Sequence, residues 1–268
     1  MRAALAPRAA RPRVDVDQIK LPAFALADDL LPAPGGWHTH RFHQLLYAAE
    51  GALRLETEEG TWLLPPQRAA WISAGVRHRV EALQPAELRT VYLGKRAIAP
   101  PDFGCRVFPA TPLAREMILG AMRWDERRSP GDPLARSFFA ALAGLALEWA
   151  ARPGPYLLPS AHSDELRRAT MWVKRNLDQE PTVSQAARAA GTSERTLNRR
   201  FVGELRMTFR GYLRAARLLR AMELLVLPGA RVTEVALAVG FSSPSAFTAA
   251  FTAFHGEPPR AYRLVASP

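Results

Sequence analysis

The sequence predicts a multidomain α+β protein. A β-rich N-terminal domain with flanking helices precedes an all-α C-terminal domain. Three observations predict this. Short β-type runs separated by turn signals recur over residues 37–93. After a Pro/Gly-containing stretch that begins at Arg152, the pattern is helical to the end. Within that helical part a motif repeats: Val183-x3-Ala187-x3-Gly191-x-Ser193 returns 49 residues later as Val232-x3-Ala236-x3-Gly240-x-Ser242.

The chain is long enough for two domains: it has 268 residues, 48% of them hydrophobic, so each half can bury a core. Basic residues outnumber acidic ones 36 to 25, a net charge of +11, which favours polyanions. All but Lys20, Lys95 and Lys174 are arginine. The excess is uneven: nine arginines lie between Arg188 and Arg220 against Glu194 and Glu204 alone, a local nucleic-acid footprint. The single cysteine, Cys105, forms no internal disulfide and suits a reducing cytoplasm. No apolar run reaches the ~20 residues of a membrane helix. Residues 1–15, rich in Arg, Ala and Pro, read as a disordered basic arm rather than a signal peptide.

The N-terminal domain spans residues 16–110. Its expected strands are 44–48, 53–56, 62–64, 70–72, 79–83 and 88–93, with turns at Glu59-Gly60 and Ala74-Gly75. Such spacing predicts a barrel or a sandwich. Residues 111–152 carry two helical patterns, 113–127 and 134–151. The second is apolar almost all round and must be buried, either against another subunit in a dimer or on the chain's own sheet. Residues 153–163 read as a linker.

In residues 164–268, each copy of the repeat describes a helix, a tight turn and a second helix. Val and Ala four apart share a helix face, and glycine supplies the turn. Thr182 with Gln185 forms a capping box, Ser193 caps the next helix, and Ser243 caps ahead of Pro244 in the second copy. Leu197 and Phe201 face inward. Arg195, Asn198 and Arg199 then fall together on the opposite face, where a helix lying in a major groove presents its reading residues. Arg pairs bidentately with guanine and Asn with adenine. Arg210, Arg214 and Arg217 form a basic stripe on the connecting helix, suited to phosphates or solvent rather than to base edges.

Over Thr182 to Arg263 the sequence resembles the AraC family. The resemblance is carried by Ala187-x3-Gly191-x-Ser193-x-Arg195-x-Leu197-x-Arg199-x-Phe201, by the helix around Tyr212–Met222, and by Gly240-Phe-Ser-Ser-x-Ser245-x-Phe247-x3-Phe251-x2-Phe254-x-Gly256-x-Pro258-x3-Tyr262-Arg263. It implies two helix-turn-helix units joined by a long helix, docking in successive major grooves of promoter or operator DNA, with base contacts from Arg195, Asn198 and Arg199. It also implies a homodimeric regulator that can contact RNA polymerase, activation being frequent in the family, with no membrane partner and no enzymatic activity. One departure stands out. The second reading helix, residues 244–254, has no basic residue. Ser245 and Thr248 are left as its polar contacts, so the first unit is expected to supply most of the discrimination.

The N-terminal domain resembles a cupin barrel. His38-x-His40-x3-Gln44-x6-Gly51 has the spacing of the first cupin motif, with Gln in place of Glu. Gly60-x4-Pro65 and Ser73-x-Gly75-x2-His78 follow the second more loosely. The resemblance implies a sensor for an unidentified small-molecule effector. It also implies a divalent-metal position built from His38, His40, Gln44 and His78, the one cofactor it suggests. Trp37, Tyr47, Trp62 and Trp71 are expected to line an effector pocket, or else to be plain core.

Overall fold

The computed structural model describes residues 15–32, 35–65, 68–95, 98 and 101–266. The basic arm expected over residues 1–15 lies outside the described residues, Asp15 excepted. The strands are β1 (Ala23–Leu30), β2 (Phe42–Glu50), β3 (Leu53–Thr57), β4 (Gly60–Leu64), β5 (Arg68–Ile72), β6 (His78–Ala82), β7 (Ala86–Gly94), β8 (Cys105–Pro109) and β9 (Leu157–Pro159). The helices are α1 (Pro112–Ala121), α2 (Pro133–Ala150), α3 (Asp164–Arg175), α4 (Val183–Ala190), α5 (Glu194–Leu205), α6 (Phe209–Leu225), α7 (Val232–Ala238), α8 (Pro244–His255) and α9 (Pro259–Ala266). The chain divides into two compact units. The first runs to Gly154 without Glu58–Leu63; the second takes Glu58–Leu63 and everything from Pro155 onward. The predicted class holds, with β-rich and all-α parts in the expected order.

In the first unit an antiparallel sheet has the order β1-β7-β2-β5-β8, and β3 pairs with β6. Strand alternation gives this sheet two differently covered faces. On one face Ala25, Leu45, Tyr47, Ala69, Trp71, Val91 and Phe108 pack with α1 and α2. On the other, Phe24, Leu26 and Phe42 form a smaller cluster with Tyr92. β2 is therefore buried along most of its length, and its sequence reads apolar on both faces for that reason.

Helix α2 starts at Asp132, whose carboxylate accepts from Leu134 N and from the Trp124 indole (2.6 Å). Its residues Ala135, Phe139, Leu142, Ala143, Ala146 and Ala150 form the stripe laid on the sheet, the alanines allowing close approach. Of the two destinations open for this apolar helix, its own sheet takes the greasy face. Helix α1 ends at Ala121, short of the expected 127. Trp124 lies beyond it, buried in the same core, with its carbonyl accepting from Ala25 N (2.8 Å).

The stretch expected to be only a linker, 153–163, contains β9, which pairs antiparallel with β4 from Gly60↔Pro159 to Trp62↔Leu157. Just before it, Tyr156 is buried and shares a hydrogen bond with His255 Nδ1 (3.2 Å) at the end of α8. The remainder of the second unit is helical. Leu197, Phe201, Phe209 and Tyr212 centre one half of its core, and Met222, Phe247, Phe251 and Tyr262 the other. α6 supplies residues to both. Among the described residues, no helix is long and apolar enough to cross a membrane.

Candidate DNA-binding surface and sensor site

The first helix-turn-helix is built from local rules. Thr182 and Gln185 cap each other's backbone reciprocally at the start of α4 (3.2 and 2.9 Å). Gly191 ends α4 in the left-handed region at φ 69°. Ser193 Oγ accepts from Thr196 N (3.2 Å) to open α5. Leu197, Phe201 and Leu205 are buried, four residues apart, which turns Arg195, Asn198 and Arg199 outward together; all three are exposed.

The next arginine behaves differently. Arg200 reaches back to Glu165 (3.4 Å) and Glu204 (3.2 Å). Glu204 Oε2 in turn accepts from His162 N (3.1 Å) and Ser163 N (3.0 Å), and its Oε1 accepts from Ser163 Oγ (2.6 Å). The end of the reading helix thus caps the start of α3, where Ser163 makes no side-chain cap of its own. Burial alone would raise the Glu204 pKa. The hydrogen bonds from Ser163, His162 and Arg200 outweigh it and hold the carboxyl at about 2. Arg168 performs a matching service at the other end of α4, donating twice to the Ala190 carbonyl (3.0 and 2.7 Å). Neither Arg168 nor Glu204 was legible as special, because in sequence each is one charged residue among many.

In the second copy Gly240 makes the turn at φ 83°, and Ser243 Oγ accepts from Ala246 N (3.2 Å) ahead of Pro244. Phe247, Ala250 and Phe251 face inward. Ser245, Ala246, Ala249 and Ala253 are exposed. Thr248 spends its hydroxyl proton on the Pro244 carbonyl (2.8 Å) and is half-buried, so of the two expected polar contacts Ser245 is the more open.

On α6, Arg210 and Arg214 are exposed, but Arg217 is not part of an outward stripe. Its Nε donates to the Leu177 carbonyl (3.0 Å) and its Nη2 to the Gln179 carbonyl, beneath the Gly240 turn. The expectation for Arg217 is corrected. Seven residues beyond Arg210 it returns to the same side of the helix, but there the 177–179 loop offers carbonyls in place of solvent.

In the first unit His38, His40 and His78 come together, one ring nitrogen from each lying within 4.8 Å of the others. An isolated antiparallel bridge joins His38 to His78 and brings their rings together, centroids 4.3 Å apart and planes tilted by 55°. Each Nδ1 lies against a backbone carbonyl: His38 on Gly36 (3.0 Å), His40 on Phe42 (2.9 Å) and His78 on Val76 (2.9 Å). A carbonyl can only accept, so in each neutral ring the proton sits on Nδ1 and the lone pair on Nε2.

His78 Nε2 is buried and has no hydrogen-bond partner among the described residues. Burial, reinforced by the other two histidines, lowers the His78 pKa to about 4 and lowers that of His40, so both are neutral bases at pH 7. Gln44 Oε1 stands 3.0 Å from His40 Nε2. With the ring neutral, two lone pairs share that distance when the amide is turned over or a cation lies between them; a doubly protonated ring would donate to Oε1 directly. Tyr92 packs edge-on against His40 at 5.4 Å. It is brought there by its pairing opposite Gln44, a register no sequence signal reports. His43 points to the other face of the sheet, against Trp71, and is outside the cluster.

The four aromatic residues expected around an effector do not gather there. Tyr47 and Trp71 lie on the sheet face covered by α1 and α2, the Trp71 indole donating to Ser73 Oγ (3.1 Å). Trp37 is exposed and stacked by the guanidinium groups of Arg77 (4.8 Å) and Arg79 (5.2 Å). Trp62 is buried and belongs to the second unit. For Tyr47 and Trp71 strand alternation decides: on β2 Gln44 and Leu46, of opposite parity to Tyr47, face the other side of the sheet.

A duplicated helix-turn-helix with an exposed basic reading face, preceded by a β-rich domain, defines a DNA-binding transcription regulator with a sensory domain. Residues 186–264 match the family described as "Helix-turn-helix domain", and residues 32–100 the family described as "AraC-like ligand binding domain". The HTH-type transcriptional regulator NimR of Escherichia coli (strain K12) is 31% identical over 227 residues, covering 84% of this chain and 81% of that protein. The Transposon Tn10 TetD protein of Escherichia coli is 30% identical over 102 residues, 38% of this chain and 74% of that one. A solved transcriptional regulator of the AraC-type DNA-binding class from Chromobacterium violaceum is 28% identical, covering 37% of this chain and 89% of its own, with a TM-score of 0.36. The chain belongs to the AraC family of helix-turn-helix transcriptional regulators.

Proposed function

We propose that this regulator reads DNA chiefly through α5, with Arg195, Asn198 and Arg199 on base edges. On this reading α8 mainly positions the protein, Ser245 and Thr248 making what polar contacts it has. Arg210 and Arg214 neutralise phosphates. One observation carries the reading: α5 exposes two arginines and an asparagine on a single face, whereas the outward face of α8 is serine and alanine. The test is selection of bound duplexes from a random pool. The expected outcome is one strongly specified stretch beside a weakly specified one. Equal information in both would refute the division of labour.

The sensor is proposed to hold a divalent metal at His38, His40 and His78, with the Gln44 carbonyl beside them. The support is the donor chemistry. Three imidazoles converge, each held by an Nδ1 contact to a backbone carbonyl that leaves Nε2 as the donor atom, and the buried Nε2 of His78 lacks a partner among the described residues. When bound, such an ion supplies a Lewis-acid anchor for a ligand. Binding alters transcription to the extent that the metal or its ligand prefers one DNA-binding state over the other. We read the protein as a cytoplasmic homodimer that contacts RNA polymerase at its promoters and has no catalytic role. Stoichiometric iron(II) in the purified protein, with oxygen consumed over many turnovers, would overturn the last point.

A further inference from the structure

We infer that the histidine cluster recruits a small carboxylate as the partner of its metal, so that the effector is an anionic metal ligand rather than a neutral molecule. This rests on the metal reading above and adds the chemical class of what binds there.

The argument is one of charge. His40 and His78 are buried, His38 offers a ring nitrogen beside them, an imidazole ligates a metal as a neutral donor, and Gln44 offers an uncharged carboxamide. Among the described residues, no carboxylate or thiolate belongs to the cluster. The carboxylate whose charge His40 feels is Asp17, and it is already engaged: it accepts from Arg41 N (2.9 Å) and faces the Arg41 guanidinium (3.9 Å). On the interior side the surroundings are aromatic. Tyr92 lies against His40 and is backed by Phe24 and Phe42 at 5.0 and 6.1 Å.

A dication held by neutral donors in such a place keeps its full charge where solvation is poor, an arrangement that favours an added anion. Three imidazoles and one carbonyl also leave coordination positions open on any metal that takes five or six ligands. A glutamate at position 44 would supply the missing charge from within the chain. Glutamine leaves it to the ligand. His38, the exposed member of the cluster, marks the side open to solvent.

The experiment titrates cobalt(II) into the purified full-length protein and follows its visible absorption. Acetate is then added at constant ionic strength, with perchlorate as the non-coordinating salt. The expected result is a cobalt spectrum that acetate changes saturably and perchlorate does not. In Gln44→Glu, retained metal with acetate affinity at least about tenfold weaker is expected, because the chain then carries the charge itself.

Cobalt bound with a spectrum indifferent to acetate would overturn the inference and leave the metal reading standing. Equal acetate affinity in wild type and Gln44→Glu would overturn it too. Cobalt uptake no greater than in the His38→Ala/His78→Ala double variant would sink the metal reading, and this inference with it. Should Gln44→Glu not fold, acetamide, the neutral counterpart of acetate, makes the same test on the wild type. No response to acetamide is expected, and a response equal to that of acetate would refute the charge argument.

Discussion

Replacing Glu204 should weaken the first helix-turn-helix in a way that depends on pH. The carboxylate takes two backbone N–H groups at the start of α3, the Ser163 hydroxyl and the Arg200 guanidinium. Its pKa falls from 4.5 to about 2 on folding, a difference equivalent to at most about 3 kcal/mol. The side chain is 21% exposed, so solvent screens part of this. Loss of a charged cap costs about 1–2 kcal/mol on independent grounds. We therefore expect Glu204→Gln to lower stability by about 1–2 kcal/mol at pH 7.

A folded-state pKa below the unfolded one stabilises the protein above pH 4.5, and the contribution disappears as pH falls from 4.5 toward 2. Urea unfolding of wild type and variant, followed by far-ultraviolet circular dichroism from pH 7 to pH 3, measures the gap. It should narrow steadily below pH 4.5. A deficit of the same size at pH 7 and pH 3 would show that the ionised carboxylate is not what holds α3 to α5.

Arg199→Ala should cost roughly 1–3 kcal/mol on the cognate site and relax preference at one base pair; equal loss on every duplex would make Arg199 a phosphate anchor instead. Arg214→Ala should weaken specific and random DNA alike and lower the salt slope by about one unit or less, measured by fluorescence anisotropy over a salt series. Arg217→Ala should leave that slope unchanged and instead cost about 2 kcal/mol of stability, since it removes two charged bonds to the 177–179 carbonyls. Gly240→Ala should be worse, on the order of 3–5 kcal/mol by calorimetry. Its Cβ would lie 2.1 Å from the Leu177 carbonyl oxygen at a φ of 83°, and adding Arg217→Ala should not rescue it, because that oxygen is backbone.

Sequence alone was sufficient for everything in this protein that local physics governs. Helices close their hydrogen bonds within four residues, so Thr182, Gln185, Gly191, Ser193, Gly240 and Ser243 announce their turns and caps from their immediate neighbours. The exposed trio on α5 follows from a fixed angular period. The middle strands were legible because their apolar runs are dense. β1 was not, since Asp28 and Asp29 break its pattern, and neither was β8.

Tertiary structure decided what depends on partners distant in the chain. It took Arg217 out of the basic stripe by setting two carbonyls beneath it. It folded Tyr47 and Trp71 under α1 and α2 and turned part of the supposed linker into a paired strand. It also brought His78 to His38 across 40 residues, with Tyr92 opposite Gln44. The reason is the two-residue period of a strand: a shift of one position exchanges pocket for surface, and the register is settled only by the strands on either side.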